Sequence, residues 1–407
     1  MTNLSTLVVV GASLAGAKAA EAARDAGHDG RIVLIGEEPS VPYERPPLSK
    51  AVLRGEADPV VTHVHADGFY AAHDIDLVTG RVNDLDPGAR TVRVDNGDTF
   101  SFDTLVLATG MTPLWLPIPG VELPGVHVLR TVEDAVHLRD AIRGAGRVAV
   151  VGAGWIGSEV AASARQVGAD VVLIDSSAVP LHRSLGNEVG AVFAALHAEH
   201  GVTLRMSTTV REIRGADTAE EVVLDDGSVE PADVVVLGVG VAPRMELAEQ
   251  AGLRIDDGIV VDEYLETSVP GIFAAGDVAS AWHPLYGRHL RVEHWANALN
   301  QGITAGRNAA GQRESYARLP YFFSDQYDVG LEYVGHASSG DSVAFRGDPS
   351  SHEFIAFWHR DGIITAAMNV NVWDVVDELK SMIEARAPFD LASLTNPDIP
   401  ISALSAH

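Results

Sequence analysis

Apolar and polar positions along the chain fall into a pattern that occurs twice. Residues 4–37 read as an apolar strand, Leu7-Val8-Val9-Val10, a glycine-rich turn, an Ala-rich helical run to about Ala26, a second strand over Ile32 to Ile35, and an acid at Glu37. Residues 147–175 repeat that order, with a strand over Val148 to Val151, a turn, a helical run from Ser158 to Val167, a strand over Val171 to Ile174, and Asp175. Short continuous apolar runs bounded by turn residues suit strands covered on both faces, so each repeat predicts a βαβ unit of a parallel sheet.

Between the repeats, Asp74 to Phe102 alternates apolar and polar residues around Asn96-Gly97, which predicts a strand pair joined by a tight turn. Leu105-Val106-Leu107 reads as a buried strand ending at Ala108-Thr109-Gly110. Val222 to Val229 brackets Asp225-Asp226-Gly227, and Val234 to Val241 is apolar through Gly238 and Gly240. The strand-into-glycine ending returns in Gly271 to Asp277. Beyond Pro320 the texture changes to strands rich in aromatic and β-branched residues (Val343 to Phe345, Glu353 to Trp358, Ile363 to Val370), and a helical stretch from Trp373 to Arg386 closes the chain. This last part reads as a separate α+β domain with no nucleotide fingerprint.

Composition narrows the chemistry. The 407 residues carry 29 Lys plus Arg against 56 Asp plus Glu, a net charge of −27 that disfavours nucleic acid as a partner. Hydrophobic residues make up 46%, inside the globular range. Cysteine is absent, which excludes disulfides, thiolate zinc sites, protein-ligated Fe–S clusters and a catalytic dithiol together. Any redox function must then rest on a bound cofactor. Met1-Thr2-Asn3 has no basic, apolar leader character, and no apolar run nears the ~18 residues of a membrane span, so a cytoplasmic location is expected. The sixteen histidines show no paired spacing typical of ligands; His63, His65, His197 and His200 are read as solvated, and no metal is expected.

Gly152-Ala153-Gly154-Trp155-Ile156-Gly157 is a complete G-x-G-x-x-G placed between a strand and a helix. Gly152 permits the sharp turn, Gly154 admits a pyrophosphate to the backbone, and Gly157 lets helix and strand pack closely, while the helix start offers amide donors. Asp175 can accept from a ribose hydroxyl and would repel a 2′-phosphate; Ser176-Ser177-Ala178 brings no Arg to neutralise one, with Arg183 the nearest cation, so NADH is preferred to NADPH. The first repeat reads Gly11-Ala12-Ser13-Leu14-Ala15-Gly16, with a small Ser whose hydroxyl can donate to phosphate in place of the middle glycine, and Glu37 is its expected ribose ligand. Two dinucleotide folds without cysteine suggest a resident flavin and an exchangeable nicotinamide.

The chain resembles the flavin-dependent ferredoxin reductases that serve bacterial oxygenases, the putidaredoxin reductase and aromatic-dioxygenase reductase group. The resemblance is carried by Pro42 to Lys50 (PYERPPLSK), Ala108-Thr109-Gly110, Leu129-Arg130-Thr131, Gly276-Asp277 and Glu293 to Ala298 (EHWANA). It implies a glutathione-reductase-like α/β flavoprotein with two Rossmann-like domains and a C-terminal α+β domain. The FAD domain would comprise residues 1–112 and 244–318, the NADH domain 113–243, and an interface domain 319–407. It further implies that Arg45, Pro46 and Lys50 lie along FAD, with Lys50 near the reactive edge of the isoalloxazine. Asp277 would hold the ribityl chain, Arg130 reach FAD, Val82 contact adenine through its backbone, and Glu293 and Trp295 lie at the flavin. Glu159 is expected to orient the nicotinamide carboxamide and to pair with Lys50 when the donor is absent. Where many relatives read aromatic-x-Trp, this chain has Phe323, which puts the electron exit route in doubt.

The implied activity is transfer of a hydride from NADH to FAD and of single electrons to a 2Fe-2S ferredoxin feeding a haem monooxygenase or Rieske dioxygenase. Segment 281–318, with Arg288, Arg291, Arg307, Arg313 and Arg318 against Glu293 and Glu314, is the expected docking surface for an acidic ferredoxin. A flavin NADH oxidase or quinone reductase, and an NADH-sensing protein of the apoptosis-inducing-factor kind, are the alternative readings.

Overall fold

The computed structural model describes residues 5–404, which divide into two compact units. One is made of residues 5–44, 60–112 and 242–320, the other of 45–59, 113–241 and 321–404.

In the first unit the strand Leu7–Val10 is central to a parallel sheet ordered Ile272–Ala274, Thr104–Leu107, Leu7–Val10, Ile32–Gly36, Ile75–Thr79. Leu7, Val8 and Val9 are fully buried, as strands covered on both faces require. The helix Leu14–Asp25 lies against Trp295–Ala309, and small residues set the spacing. A Cβ on Gly302 would stand 2.4 Å from the Ala15 carbonyl oxygen, and one on Gly306 2.1 Å from that of Ala19. The two helices therefore meet backbone to backbone.

The strand pair expected over 74–102 is divided differently. Ile75–Thr79 joins the parallel sheet, and a separate antiparallel meander is formed by Val82–Asp86, Thr91–Val94 and Thr99–Ser101, with Asn96-Gly97 turning between the last two. The alternating pattern cannot tell a sheet edge from a meander; Ile75 decides it by burying in the main core.

The second unit repeats the sheet, ordered Thr203–Met206, Asp170–Asp175, Arg147–Val151, Val234–Leu237, Val126–His127. Here the strand beyond the fourth position precedes the repeat in sequence, whereas in the first unit it follows. Residues 45–59, expected to belong with the first fingerprint, group with this unit. Leu53 enters the core of Leu138, Ile142 and Val160, and the Ser163 hydroxyl donates to the Ser49 carbonyl at 2.6 Å.

Residues 321–404 contribute an antiparallel sheet ordered Tyr321–Gln326, Val329–Gly335, Ile363–Val370, Glu353–Arg360, Ser342–Asp348. Its aromatic face, with Phe322, Tyr333, Phe354 and Trp358, shares one core with Leu185, Val189, Phe193 and Leu196 of the helix His182–Glu199. The last helical stretch is shorter than expected, Val376–Ala385, because Asn371 and Asp374 take left-handed backbone conformations ahead of it. A further helix, Leu391–Thr395, follows. Arg346 secures this tail, donating to the carbonyls of Leu394 (3.2 Å), Asn396 (2.7 Å), Pro397 (3.3 Å) and Ile399. Among the described residues no helix is long and apolar enough to cross a membrane.

His197, read as solvated, is fully buried and lies 3.0 Å from the Tyr327 hydroxyl. Burial, reinforced by nearby His200, pushes its imidazole down to about 4. Its folded value lies below its unfolded one, so its contribution to stability is complete above pH 6.5 and is lost as the pH falls toward 4. Urea unfolding followed from pH 6.5 to 4.5 should show stability falling more steeply in the native protein than in His197→Gln, by up to about 1.4 kcal/mol per pH unit. Equal slopes would refute that assignment.

Candidate dinucleotide sites and a buried carboxylate hub

In each glycine-rich turn a backbone carbonyl occupies the place of a side chain. A Cβ on Gly11 (φ +111°) would lie 2.1 Å from the Ala108 oxygen, and one on Gly152 (φ +101°) 2.3 Å from the Gly238 oxygen. The third glycines repeat the constraint one turn on, Gly16 against the Gly11 oxygen at 1.9 Å and Gly157 against the Gly152 oxygen at 1.8 Å. Glycine is thus imposed at both ends of each turn by the fold itself.

The middle positions differ. A Cβ on Gly154 meets nothing within 4 Å, and Ser13 makes no capping hydrogen bond with its side chain. Neither helix carries an acid in its own first turn, so the amide donors and the positive end of each dipole are not neutralised from within the helix. Both turns therefore fit a pyrophosphate, which would complete the donor sets at Ser13, Leu14, Ala15 and Gly16 and at Gly154, Trp155, Ile156 and Gly157, while the Gly11 and Gly152 amides are already spent on the Ile35 and Ile174 carbonyls at 2.7 and 2.8 Å.

Around the first turn, Ala108-Thr109-Gly110 is clamped by Arg244. The Thr109 hydroxyl donates to the Arg244 carbonyl at 2.8 Å, and the Arg244 amide to that of Gly110 at 3.0 Å. The Arg244 guanidinium also pairs with Glu37, a partner the sequence reading missed. Gly276 (φ +79°) donates to Gln301 Oε1 at 2.9 Å, and a Cβ there would come within 3.0 Å of the Ala15 Cβ. That packing holds half-buried Asp277 beside the first helix start. Val82 lies at a bulge in the meander opposite Val94, and Trp295 opens its helix half-buried.

Beside the second turn, Asp175 accepts from the Ala153 amide at 2.6 Å and the Ser177 amide at 2.7 Å. The acid expected to read the ribose thus also ties down the turn that would hold the pyrophosphate. Trp155 packs edge-on against Phe322, ring centroids 4.5 Å apart, while Ile156 stays exposed. Gly240 (φ +111°) remains exposed beyond half-buried Gly238.

Within the second unit, Glu159 is 5% exposed and its carboxylate gathers three donors. Oε2 takes Lys50 Nζ at 2.8 Å and the Ser49 hydroxyl at 2.5 Å; Oε1 takes the Ser324 hydroxyl at 2.7 Å. Lys50 also donates to the Pro46 carbonyl at 3.2 Å. Arg45 reaches the Arg130 carbonyl, and the Arg130 amide donates to Asp134 Oδ2 at 3.0 Å within the cap of the helix Val132–Gly144. Burial pushes the Asp325 carboxyl above its ordinary range, with Lys50 and Arg54 opposing and Glu159 adding to the rise. Phe323 lies on the outward side of its strand, 36% exposed. Ser49, Ser324 and Asp325 were not singled out from sequence; the alternation that buries Phe322, Ser324 and Gln326 together was the available signal.

The expected docking arginines are unequal. Arg291 bridges Asp257 (3.2 Å) and Glu293 (2.5 Å) with 12% of its side chain exposed, so it is withdrawn from the surface. Its sequence neighbourhood cannot show this, because Asp257 comes from another loop. Arg307 pairs with Glu314 at 2.8 Å, Arg313 lies over the Tyr264 ring, and Arg288 is exposed.

Two dinucleotide cradles without a cysteine define an oxidoreductase built around nucleotide cofactors. The chain belongs to the pyridine nucleotide-disulphide oxidoreductase family, whose profile matches residues 5–302; a "reductase C-terminal" profile matches 321–405. It is 41% identical to the anthranilate 1,2-dioxygenase system ferredoxin–NAD(+) reductase component of Burkholderia cepacia, over 96% of this chain and 97% of the relative. It is 34% identical to putidaredoxin reductase of Pseudomonas putida, over 100% and 98%. Among solved structures, the ferredoxin reductase for the CYP199A2 system from Rhodopseudomonas palustris superposes with a TM-score of 0.95 at 33% identity, covering 98% of this chain and 99% of that one. The reductase in a covalent putidaredoxin reductase–putidaredoxin complex gives 0.94 at 34% identity, covering 98% and 97%.

Because Asp175 ties down the turn and is the expected ribose acceptor, Asp175→Ala should raise the KM for NADH at least tenfold and also lower the melting temperature of the nucleotide-free protein. A change in KM with an unchanged melting temperature would mean that the turn does not depend on the carboxylate.

Proposed function

We infer that this chain is an FAD-dependent NADH:ferredoxin oxidoreductase. The observation that carries the reading is the presence of two pyrophosphate cradles in a cysteine-free chain that matches ferredoxin reductases along its whole length. A family named for disulphide chemistry here has no thiol to relay electrons, so its cofactors must carry them. FAD, when bound, supplies acceptance of a hydride and release of single electrons.

The protein's own part is placement. Residues 1–112 and 244–318 form the FAD-holding portion, 113–243 the NADH-holding portion, and 319–407 the interface part. The turn from Gly11 to Gly16 holds the flavin pyrophosphate, Glu37 the ribose, and Asp277 the ribityl chain. Arg45, Arg130 and Lys50 supply positive charge along the flavin, where Lys50 favours the anionic reduced form. Glu159 orients the nicotinamide carboxamide. The acceptor is a 2Fe-2S ferredoxin that feeds an oxygenase, and it docks at Arg288, Arg307 and Arg313, whose charge speeds and orients encounter more than it tightens binding.

Purified protein should be yellow, bleach anaerobically on addition of NADH, and reduce cytochrome c only when a 2Fe-2S ferredoxin is added. Failure to bleach after reconstitution with FAD would remove the flavoenzyme reading, and ferredoxin-independent turnover would favour an oxidase. Charge reversal at Arg307 and Arg313 together should lower the rate of ferredoxin reduction several-fold at low salt and leave bleaching by NADH unchanged.

A further inference from the structure

The carboxylate hub joins three separate parts of the sequence. Ser49 and Lys50 come from the 45–59 stretch, Glu159 from the second turn of the nucleotide helix Trp155–Gln166, and Ser324 from the first strand of the C-terminal sheet. Ser49 is 2% exposed, Ser324 1% and Glu159 5%. An ionised carboxylate at that depth is stable only when its oxygens are filled. Four acceptor sites are available, and the two serines and Lys50 occupy three of them.

The two serines act on different oxygens, and this gives them different tasks. Ser49 shares Oε2 with Lys50, so it fixes the oxygen to which the ammonium is bound. Ser324 holds Oε1 alone and so sets the rotation of the carboxylate about its own axis. Without that anchor Oε1 would be buried with an unfilled acceptor, and the carboxylate would turn to satisfy it at the expense of its bond to Lys50. Among the described residues Lys50 has a 3.2 Å bond to the Pro46 carbonyl besides the Glu159 contact, so its place depends largely on that carboxylate.

We propose that Ser324 is a positioning residue for electron transfer, through which the C-terminal sheet holds Glu159 and thereby fixes Lys50. The inference rests on the reading of Lys50 as the cation beside the flavin. It makes the C-terminal part more than a surface for a partner, since the charge next to the cofactor is set from there. The hydroxyl is the operative group, so threonine should serve in its place.

The test uses the FAD-loaded protein and three variants, Ser324→Ala, Ser324→Thr and Lys50→Met, with the double variant Ser324→Ala/Lys50→Met. Ser324→Ala should slow anaerobic bleaching by NADH about tenfold and shift the flavin midpoint potential, measured by spectroelectrochemistry, to more negative values. Ser324→Thr should restore both. In the Lys50→Met background the same alanine substitution should add little to either readout, because its effect passes through that ammonium. The inference is overturned if Ser324→Ala leaves the potential unchanged, or if its effects simply add to those of Lys50→Met, as a general loss of packing would. A native protein that takes up FAD but is not bleached by NADH would instead refute the oxidoreductase reading itself, so the two failures are told apart by the native control.

Discussion

The nucleotide chemistry of this molecule depends on a contact that leaves no room for a side chain. At Gly11 and Gly152 the carbonyl ending a neighbouring strand stands about where a Cβ would be, and at Gly16 and Gly157 the turn's own first carbonyl does the same. Strand, turn and helix are thereby locked at one spacing in both units. The first-turn amides of each helix are held at the C-terminal end of a central strand, with no acid in either first turn. Two sites of one chemistry arise because one steric rule is applied twice.

Much of this was legible from residue order. Each strand–turn–helix–strand–acid sequence specifies its own local fold, and the parallel strands announced themselves as unbroken apolar runs such as Leu7 to Val10. The meander over 82–101 was less legible because alternation describes any half-buried strand and does not name its neighbour. The ion pairing of Arg291 was invisible for a related reason: its second acid, Asp257, comes from a distant loop. Arg244 and Ser324 escaped notice as well. Each acts on a carboxylate, Glu37 or Glu159, from far along the chain, and only the folded topology brings them together.

Asp175 and Glu159 illustrate two ways of holding an acid in the second unit. Asp175 is half-buried and braced by two amides, which leaves acceptor capacity for a ribose. Glu159 is buried and nearly saturated by the protein's own donors. Removing Lys50 alone would leave a buried charge uncompensated, a loss of about 3–5 kcal/mol in comparable pairs. The first arrangement is braced by backbone alone, whereas the second is fixed by side chains from three stretches of sequence that leave one acceptor position of the carboxylate over.

The attachment of the C-terminal tail follows a different logic. Arg346 grips residues 394–399 entirely through main-chain oxygens, which every amino acid carries. The grip therefore specifies a path for the backbone and almost nothing about the side chains strung along it. Such a tether sets the course of the chain without calling on its outward-facing side chains, and leaves sequence-specific anchoring to fully buried Leu394.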